Sequence, residues 1–485
     1  MKKLRFIALI LAAMLVVASC GNTTGNNDKD NGDKTPSTDT GDVLGLPEGL
    51  DYTGETFRLI TAEGYMAISE DYDPAEDTSV VGQALYKQFM NTSDRLGVEF
   101  EFYNASPFEV AGTWVYTAVN SWSDDYDAVF TVDTNMRTMA EMGFFKTVSE
   151  LPYVNLDNPW WSKDYIESVS LDPDDPYLLF GSITYNQAVE RICCVFFNKR
   201  ILEEVHGLKD TDIYDMVLDG TWTIDKFLEL AKGVYIDNGD GVRNGQDTYG
   251  YITGGIDDLN NIIYSSGLEF TGRDADGFPT LQMNNERTIG LVEKLLTLKA
   301  DESYYNASED NPEALNFPYA RKFAEGKGLF LIQRFFSATY CAEMSDDYGM
   351  VPMPKYDEDT EGYTSIVTTY VQWGAVPVTC ERVEMTSATL ECLAYEGYQH
   401  LIPAYFENNL KLRYTRGDLS YESQMLDIIA ESVDTDFIYV NALGGLGGIF
   451  KDIFEAGENI FASTYDSYEG VALSKLEQLI EAAQE

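Results

Sequence analysis

The sequence predicts an α/β protein of two or more domains or of two lobes, and three observations carry that prediction. From about residue 55 to 145, short apolar runs alternate with segments of helical spacing, the signature of a mostly parallel sheet covered by helices. After an irregular, Pro-containing connection at 146–165, a second region of apolar runs and helical patterns begins. The chain has 485 residues with 44% hydrophobic content, and chains of that size divide into lobes because a single core stops growing efficiently.

The N-terminus stands apart from the fold. "MKKLRFIALILAAMLVVASCGN" opens with Lys2, Lys3 and Arg5 and continues with an apolar stretch from Phe6 to Ala18. That stretch is shorter than the roughly 20 apolar residues of a membrane span and reads as a secretory signal. "VASC" before Gly21 resembles a bacterial lipobox, in which a signal peptidase cuts ahead of a cysteine that takes acyl chains. On that reading residues 1–19 leave and Cys20 becomes the lipidated first residue. An ordinary secreted protein with a chance cysteine is the alternative. Residues 21–42, "GNTTGNNDKDNGDKTPSTDTGD", hold almost nothing that can pack and form a flexible tether. A lipid followed by a spacer describes a protein held at the outer face of the cell membrane.

Charge excludes a class of partner. With 33 basic against 81 acidic residues the net charge is −48, a field that repels nucleic acid and anionic headgroups. Five cysteines besides Cys20, irregularly spaced, make no disulfide framework. Cys193 and Cys194 in "RICCVFFNK" read as small residues of a buried strand.

Along the chain, "ETFRLITAE" (55–63), "VEFEFY" and "YDAVFTV" (126–132) read as strands, and "SVVGQALYKQFMNTSDRLG" (79–97) and "PFEVAGTWVYTAVNSW" as helices. "TIDKFLELAKGV" (223–234), "DDLNNIIYSSG" (257–267) and "NERTIGLVEKLLTLKA" (285–300) are helical. "FPYARKFAEGKGLFLIQRFF" (317–336) places a helix before a buried strand, and the C-terminal part is helix-rich.

Six motifs then occur in a recognisable order. "CVFFNKRILEEVHGL", "GTWTIDKFLELAKGV", "YGYIT", "DGFPTLQMNNERTIGLVEKLLTL", "FAEGKGLFLIQRFF" and "YGMVPMPKYDEDTEG" resemble, in sequence and order, the motifs of the carbohydrate-type (family 1) extracellular solute-binding lipoproteins that feed ABC importers. The likeness covers roughly residues 190–360; the N-terminal third fits by pattern alone. The resemblance implies a periplasmic-binding-protein-like fold, with a ligand cleft between two lobes joined by crossing strands. It places the N-lobe at 47–182 plus about 329–380, the C-lobe at 183–328 and C-terminal helices packing on both lobes at 381–485, with residues 20–46 as anchor and tether. It implies closure of the lobes about hinge strands near 180–190 and 328–336. The expected function is capture of a sugar or oligosaccharide for an ABC permease by a monomer, without enzymatic activity and without a required cofactor. A peptide or other polar solute is the alternative ligand; a surface glycan hydrolase or adhesion protein is the alternative class.

Sugar binding favours aromatic rings, on which the apolar face of a pyranose stacks, with polar groups for the hydroxyls. Adjacent Trp160 and Trp161 lie in the irregular connection, so one of them is expected to face the cleft while the other packs. Trp373 in "TYVQWGAV" lies near the expected crossing. Thr131 and Asp133 follow a strand end, where α/β sheets bind ligands, and Tyr185 follows the first crossing. Arg334 follows "GLFLIQ" and either lines the cleft or forms a buried salt bridge; Trp222 reads as structural. Two histidines, His206 and His400, sit in no zinc spacing or triad, and no phosphate-binding Gly-rich motif occurs.

One loop remains, "IDNGDGVRNGQDTYG" at 236–250. An EF-type calcium loop needs oxygen ligands at positions 1, 3, 5, 9 and 12 around a Gly at 6. With Gly241 at the sixth place, Asn238, Asp240, Asn244 and Asp247 fit and Ile236 fails at the first. A structural Ca2+ in 236–247 and a plain Asx/Gly turn both stay open.

Overall fold

The computed structural model describes residues 43–62, 79–183, 191–309, 317–367, 371–406 and 419–484. Among them are twelve strands: β1 (Thr56–Ala62), β2 (Glu99–Ala105), β3 (Ala128–Val132), β4 (Cys193–Asn198), β5 (Tyr235–Ile236), β6 (Thr248–Thr253), β7 (Thr271–Arg273), β8 (Pro279–Leu281), β9 (Tyr304–Asn306), β10 (Gly328–Arg334), β11 (Tyr348–Val351) and β12 (Gln372–Ala375). They form two main sheets, one per lobe, and one hairpin.

The first sheet has the order β12-β3-β1-β2. β1, β2 and β3 run parallel, and β12 pairs with β3 antiparallel, Gln372 opposite Val132 and Trp373 opposite Thr131. Phe57, Leu59 and Phe130 fill one face of this sheet, and Ile60 and Val129 the other. The alternation follows from the two-residue period of a strand. The helix Val80–Leu96 starts where the Ser79 hydroxyl accepts the Gly82 N–H at 3.0 Å and stops at Gly97, whose φ of 73° turns the chain out; both are ordinary end signals.

The second sheet has the order β11-β4-β10-β6-β5, with β9 added beside β6. Its core includes Val195, Phe197, Trp222, Phe227 and Phe330. Trp222 is fully buried and donates its indole N–H to the Pro352 carbonyl at 2.9 Å, so this residue is a structural anchor.

One boundary differs from expectation. β10 does not leave the second lobe: it lies in the middle of the second sheet, antiparallel to β4 and parallel to β6. β11 pairs with β4 in that sheet too. "GLFLIQ" is buried at every position, as a strand covered on both faces must be; such a run specifies burial without specifying which sheet. The chain therefore returns to the first lobe between β11 and β12, not at 328–336. The C-terminal helices divide between the lobes. Val383–Glu396 packs on Val80–Leu96, with Leu390 and Leu393 in the first-lobe core, whereas Phe450 and Phe461 pack in the second.

Candidate functional site

The topology defines which edges face the other lobe. The chain enters the second sheet at Cys193, which pairs with Arg334; it enters the first sheet at Gln372, which pairs with Val132. The carboxyl ends of β3 and of β10 with its parallel neighbour β6 therefore both lie at the junction of the lobes. Carboxyl ends of parallel strands are where open α/β sheets hold ligands.

On the second lobe this edge carries a polar network under an aromatic group. Asp258, 5% exposed, sits in the first turn of the helix Ile256–Tyr264. It accepts from the Thr253 hydroxyl at 2.8 Å, the Gly254 N–H at 2.7 Å and Gln333 Nε2 at 2.7 Å. Tyr319 lies directly on Gly254: a Cβ there would collide with its ring, so only glycine leaves room. The Arg334 guanidinium hydrogen-bonds the Tyr319 side chain, and burial pushes this phenol up to about 12. The same guanidinium lies 5.7 Å from the centre of the Phe317 ring. Phe317 in turn meets Tyr319, Phe336 and Tyr340, with ring centres 5.9, 5.6 and 5.5 Å away. All four rings are partly exposed. Rings with accessible faces, next to a guanidinium and amide and carboxyl groups, can stack on an apolar ligand face and hydrogen-bond its hydroxyls.

The expected site residues are scattered by comparison. Arg334 belongs to this group. Thr131 is fully buried at the end of β3, and its hydroxyl finds no partner among the described residues; Asp133 begins the helix Asp133–Glu141 that follows. Trp373 is buried, stacked on Tyr165 with ring centres 5.5 Å apart. Tyr185 and Cys20 lie outside the described residues.

The expectation that one of Trp160 and Trp161 faces the cleft is corrected. Both are buried, at 3% and 1% exposure. Their indole N–H groups donate to the two oxygens of one carboxylate, Glu391, at 2.9 and 2.7 Å. Adjacent tryptophans can share one core because the chain is irregular there and a buried acceptor lies between their N–H groups. Phe317, Tyr319, Phe336, Tyr340, Gln333 and Asp258 escaped the sequence reading; "FPYARKF" and "RFFSATY" flank β10 with the aromatic residues that signal them.

The 236–247 loop closes on Asp247. Its carboxylate accepts the N–H groups of Asn238 at 3.0 Å and Asn244 at 2.9 Å and the Tyr235 hydroxyl at 3.1 Å. Those backbone bonds hold the Asp247 carboxyl below its ordinary value. Asp237 and Asp240 converge with it, ligand atoms within 4.8 Å of one another, so Asp237 supplies the carboxylate that Ile236 cannot. Asp237 also accepts from Gly239 and Gly241, and Asp240 from Val242, so loop amides already engage the carboxylates. Asn238 and Asn244 make Asx turns to Asp240 and Gln246. Cys193 is buried, its thiol pushed up to about 12 by burial, and no described cysteine is in a disulfide.

The two-lobed fold is that of ABC-transporter solute-binding proteins. A substrate-binding protein of Listeria monocytogenes, solved with cycloalternan, is 11% identical; the match covers 89% of this chain and 99% of that one, with a TM-score of 0.51. A solute-binding protein of Thermotoga lettingae bound with α-D-tagatose is 13% identical over 88% of this chain and 100% of that one, TM-score 0.51. A cyclo/maltodextrin-binding protein complexed with maltotetraose gives 11%, 90%, 99% and 0.51 in the same order. At these identities the likeness is one of fold. Compared by sequence, the chain matches no family model and no curated protein.

Proposed function

We propose that this protein captures a sugar or oligosaccharide between its lobes and delivers it to an ABC permease. The observation that carries the reading is the set of partly exposed rings around Arg334 at a strand edge facing the other lobe. It has the two components a saccharide needs, stacking faces and fixed polar groups. The protein binds without turning its ligand over, and the lipid on Cys20 holds it at the outer face of the membrane. No helix among the described residues is long and apolar enough to cross a membrane. The 237–247 loop is held by its own amides and takes Ca2+ as a structural ion without requiring it.

The test is a thermal-shift and calorimetric screen of the chain from Gly21 onward against mono- and oligosaccharides, peptides and Ca2+. A saccharide is expected to raise Tm, as any ligand of the folded state does. Tyr319→Ala and Arg334→Ala are expected to weaken that binding by about 10-fold or more, the factor corresponding to 1.4 kcal/mol. Stabilisation by peptides and by no sugar overturns the saccharide reading, and glycan turnover overturns the non-enzymatic one.

A further inference from the structure

The helix Lys163–Val169 belongs to the first lobe, where Tyr165, Ile166 and Val169 are buried. A helix leaves its last four carbonyls without intrahelical donors. Here Ser170 Oγ meets the Ile166 carbonyl, and the last three, with the Leu171 carbonyl just beyond, are met by side chains of the other lobe. Arg273, on the hairpin β7–β8, donates from Nη2 to the Glu167 carbonyl at 2.9 Å and the Ser168 carbonyl at 3.3 Å, and from Nη1 to the Leu171 carbonyl at 3.2 Å. Asn441 Nδ2 donates to the Val169 carbonyl at 2.9 Å.

The two donors sit on one rigid unit of the second lobe. Asp436 caps the helix Phe437–Asn441 and accepts from the backbone of Phe270 at 3.2 Å and Thr271 at 3.0 Å and from the Thr271 hydroxyl at 2.6 Å. That carboxylate ties the base of the hairpin to the start of the helix. Phe270, Phe437 and Ile438 anchor both in the second-lobe core.

Arg273 forms no ion pair among the described residues; the carboxylates of Asp436, Asp172, Asp274 and Glu167 favour its charge from a longer distance, and the negative end of the helix dipole adds to them. Beside it opens a small pocket of about 70 Å³, bounded by Val169 and Leu171 on one side and Phe437 and Asn441 on the other. At this rim the directional bonds add to apolar packing of Val169 with Val440 and of Leu171 on the second-lobe core, and to an ion pair from Lys475 to Glu141 at 2.9 Å.

We infer that Arg273, supported by Asn441, is a latch between the lobes: it grips the carbonyl end of Lys163–Val169 and sets the orientation of one lobe relative to the other. Rotation of the lobes has to break these bonds together, because a guanidinium fork cannot follow diverging carbonyls. The latch makes no demand on what the protein binds. Its effect on affinity rests on the proposed function: a residue that biases lobe orientation changes apparent affinity without touching the ligand. Arg273 is thus a positioning residue.

The experiment is hydrogen exchange and small-angle scattering on the full chain, wild type against Arg273→Ala, Arg273→Lys and Asn441→Ala. With Arg273→Ala, exchange should accelerate in two separated segments, 163–172 and 436–442, while the sheets stay as protected as in wild type, and the scattering profile should change. Arg273→Lys should rescue little, since a single ammonium replaces a fork. Asn441→Ala, a milder cut in the same contact, gives the answer if Arg273→Ala fails to fold. Unchanged exchange in both segments overturns the latch, whatever the ligand results. With a ligand from the screen, Arg273→Ala should change the apparent Kd by about 5-fold or more, the lower end of measured coupling between sites. An unchanged Kd beside altered exchange leaves a purely structural contact and overturns the positioning role. Failure of the whole panel to bind counts against the proposed function, and exchange then decides the latch alone.

Discussion

Glu391 is the residue whose replacement tests the first lobe most directly. It lies on the helix Val383–Glu396, is fully buried, and forms no ion pair among the described residues. An ionised carboxylate has about four lone-pair sites, and four donors meet it: the Trp160 and Trp161 indoles, Asn158 Nδ2 at 2.6 Å and the Asn155 N–H at 3.3 Å. Glu391→Ala strands two buried indole N–H groups at about 1–3 kcal/mol each, so a loss of roughly 2–6 kcal/mol is expected before the added cavity. Asn155 and Asn158 are exposed and half-exposed and can turn to water. Glu391→Gln keeps one acceptor oxygen but aims an NH2 group at donors, so its cost falls between wild type and alanine.

The pH dependence sharpens the test. Burial raises the Glu391 carboxyl above 4.5, although the hydrogen bonds from Trp161, Asn158, Asn155 and Trp160 oppose it. The folded state then holds this proton more tightly than the unfolded chain. Stability from the group is therefore fully present below the unfolded value and declines as pH rises through the folded one. Glutamine does not titrate, so the gap between wild type and Glu391→Gln should narrow from pH 4 toward neutrality. The assay is urea unfolding followed by tryptophan fluorescence at several pH values, with first-lobe and second-lobe transitions fitted separately where they separate. A Glu391→Ala protein within about 0.5 kcal/mol of wild type, the noise of ordinary surface substitutions, would refute the reasoning. So would a gap that widens with pH.

Asp127 is fully buried and receives Arg58 through its backbone N–H at 2.7 Å and Nη2 at 3.1 Å, and Arg382 through Nη2 at 2.7 Å. Asp127→Ala should cost about 3–5 kcal/mol, as breaking one side of a buried pair does, and chemical denaturation of the variant measures it. Gly397→Ala would drive a Cβ into the Ser182 carbonyl, where the helix after Glu396 meets the segment leaving the first lobe. It should lower stability by about 1–3 kcal/mol or more, and a Tm equal to wild type counts against that contact. The Asp247 carboxyl lies below 3.8, so its contribution to stability is present above that pH and lost below it. Asp247→Asn should flatten the acid limb of a Tm-against-pH curve, and an unchanged limb contradicts the assignment. Mass spectrometry of membrane extracts should find Cys20 N-terminal and acylated, and a Cys20→Ser protein should partition into the aqueous phase.

What the sequence disclosed and what it hid divide along a physical line. Period-two strands and capped helices are local, so "TFRLITA" and Ser79 through Gly97 were legible, as was Trp222 at a helix entry. Sheet membership is not local. β10 is apolar on both faces, and only its pairing with β4 and β6 assigns it to the second lobe. The tryptophan pair failed for a similar reason: its partner lies 230 residues away from Trp161. A glutamate inside the otherwise apolar run "ATLECLA" was the available hint, because an acid there has to find donors. The rings at Phe317, Tyr319, Phe336 and Tyr340 could be seen as aromatic, but their place at the junction depends on Arg334 meeting Cys193.

The buried acids of this chain show how a very acidic protein can have rigid lobes and an adjustable junction. Glu391 is engaged by N–H donors within the first lobe and Asp436 by those within the second, while Asp127 is enclosed by two arginines of the first. Each contact stiffens one lobe, and none of them crosses to the other. The polar contacts that cross at the rim are of a different kind: Arg273 and Asn441 offer donors to helix carbonyls, and Lys475 pairs with Glu141 at 2.9 Å with both side chains partly exposed, so opening the rim leaves groups that water can reach. Lobes that move as bodies need this division, because a buried carboxylate shared between them would make separation cost several kcal/mol. Transferring one such acid to the rim, for example Val169→Glu opposite Arg273, should therefore fix the lobes and slow exchange in both rim segments, where Arg273→Ala accelerates it.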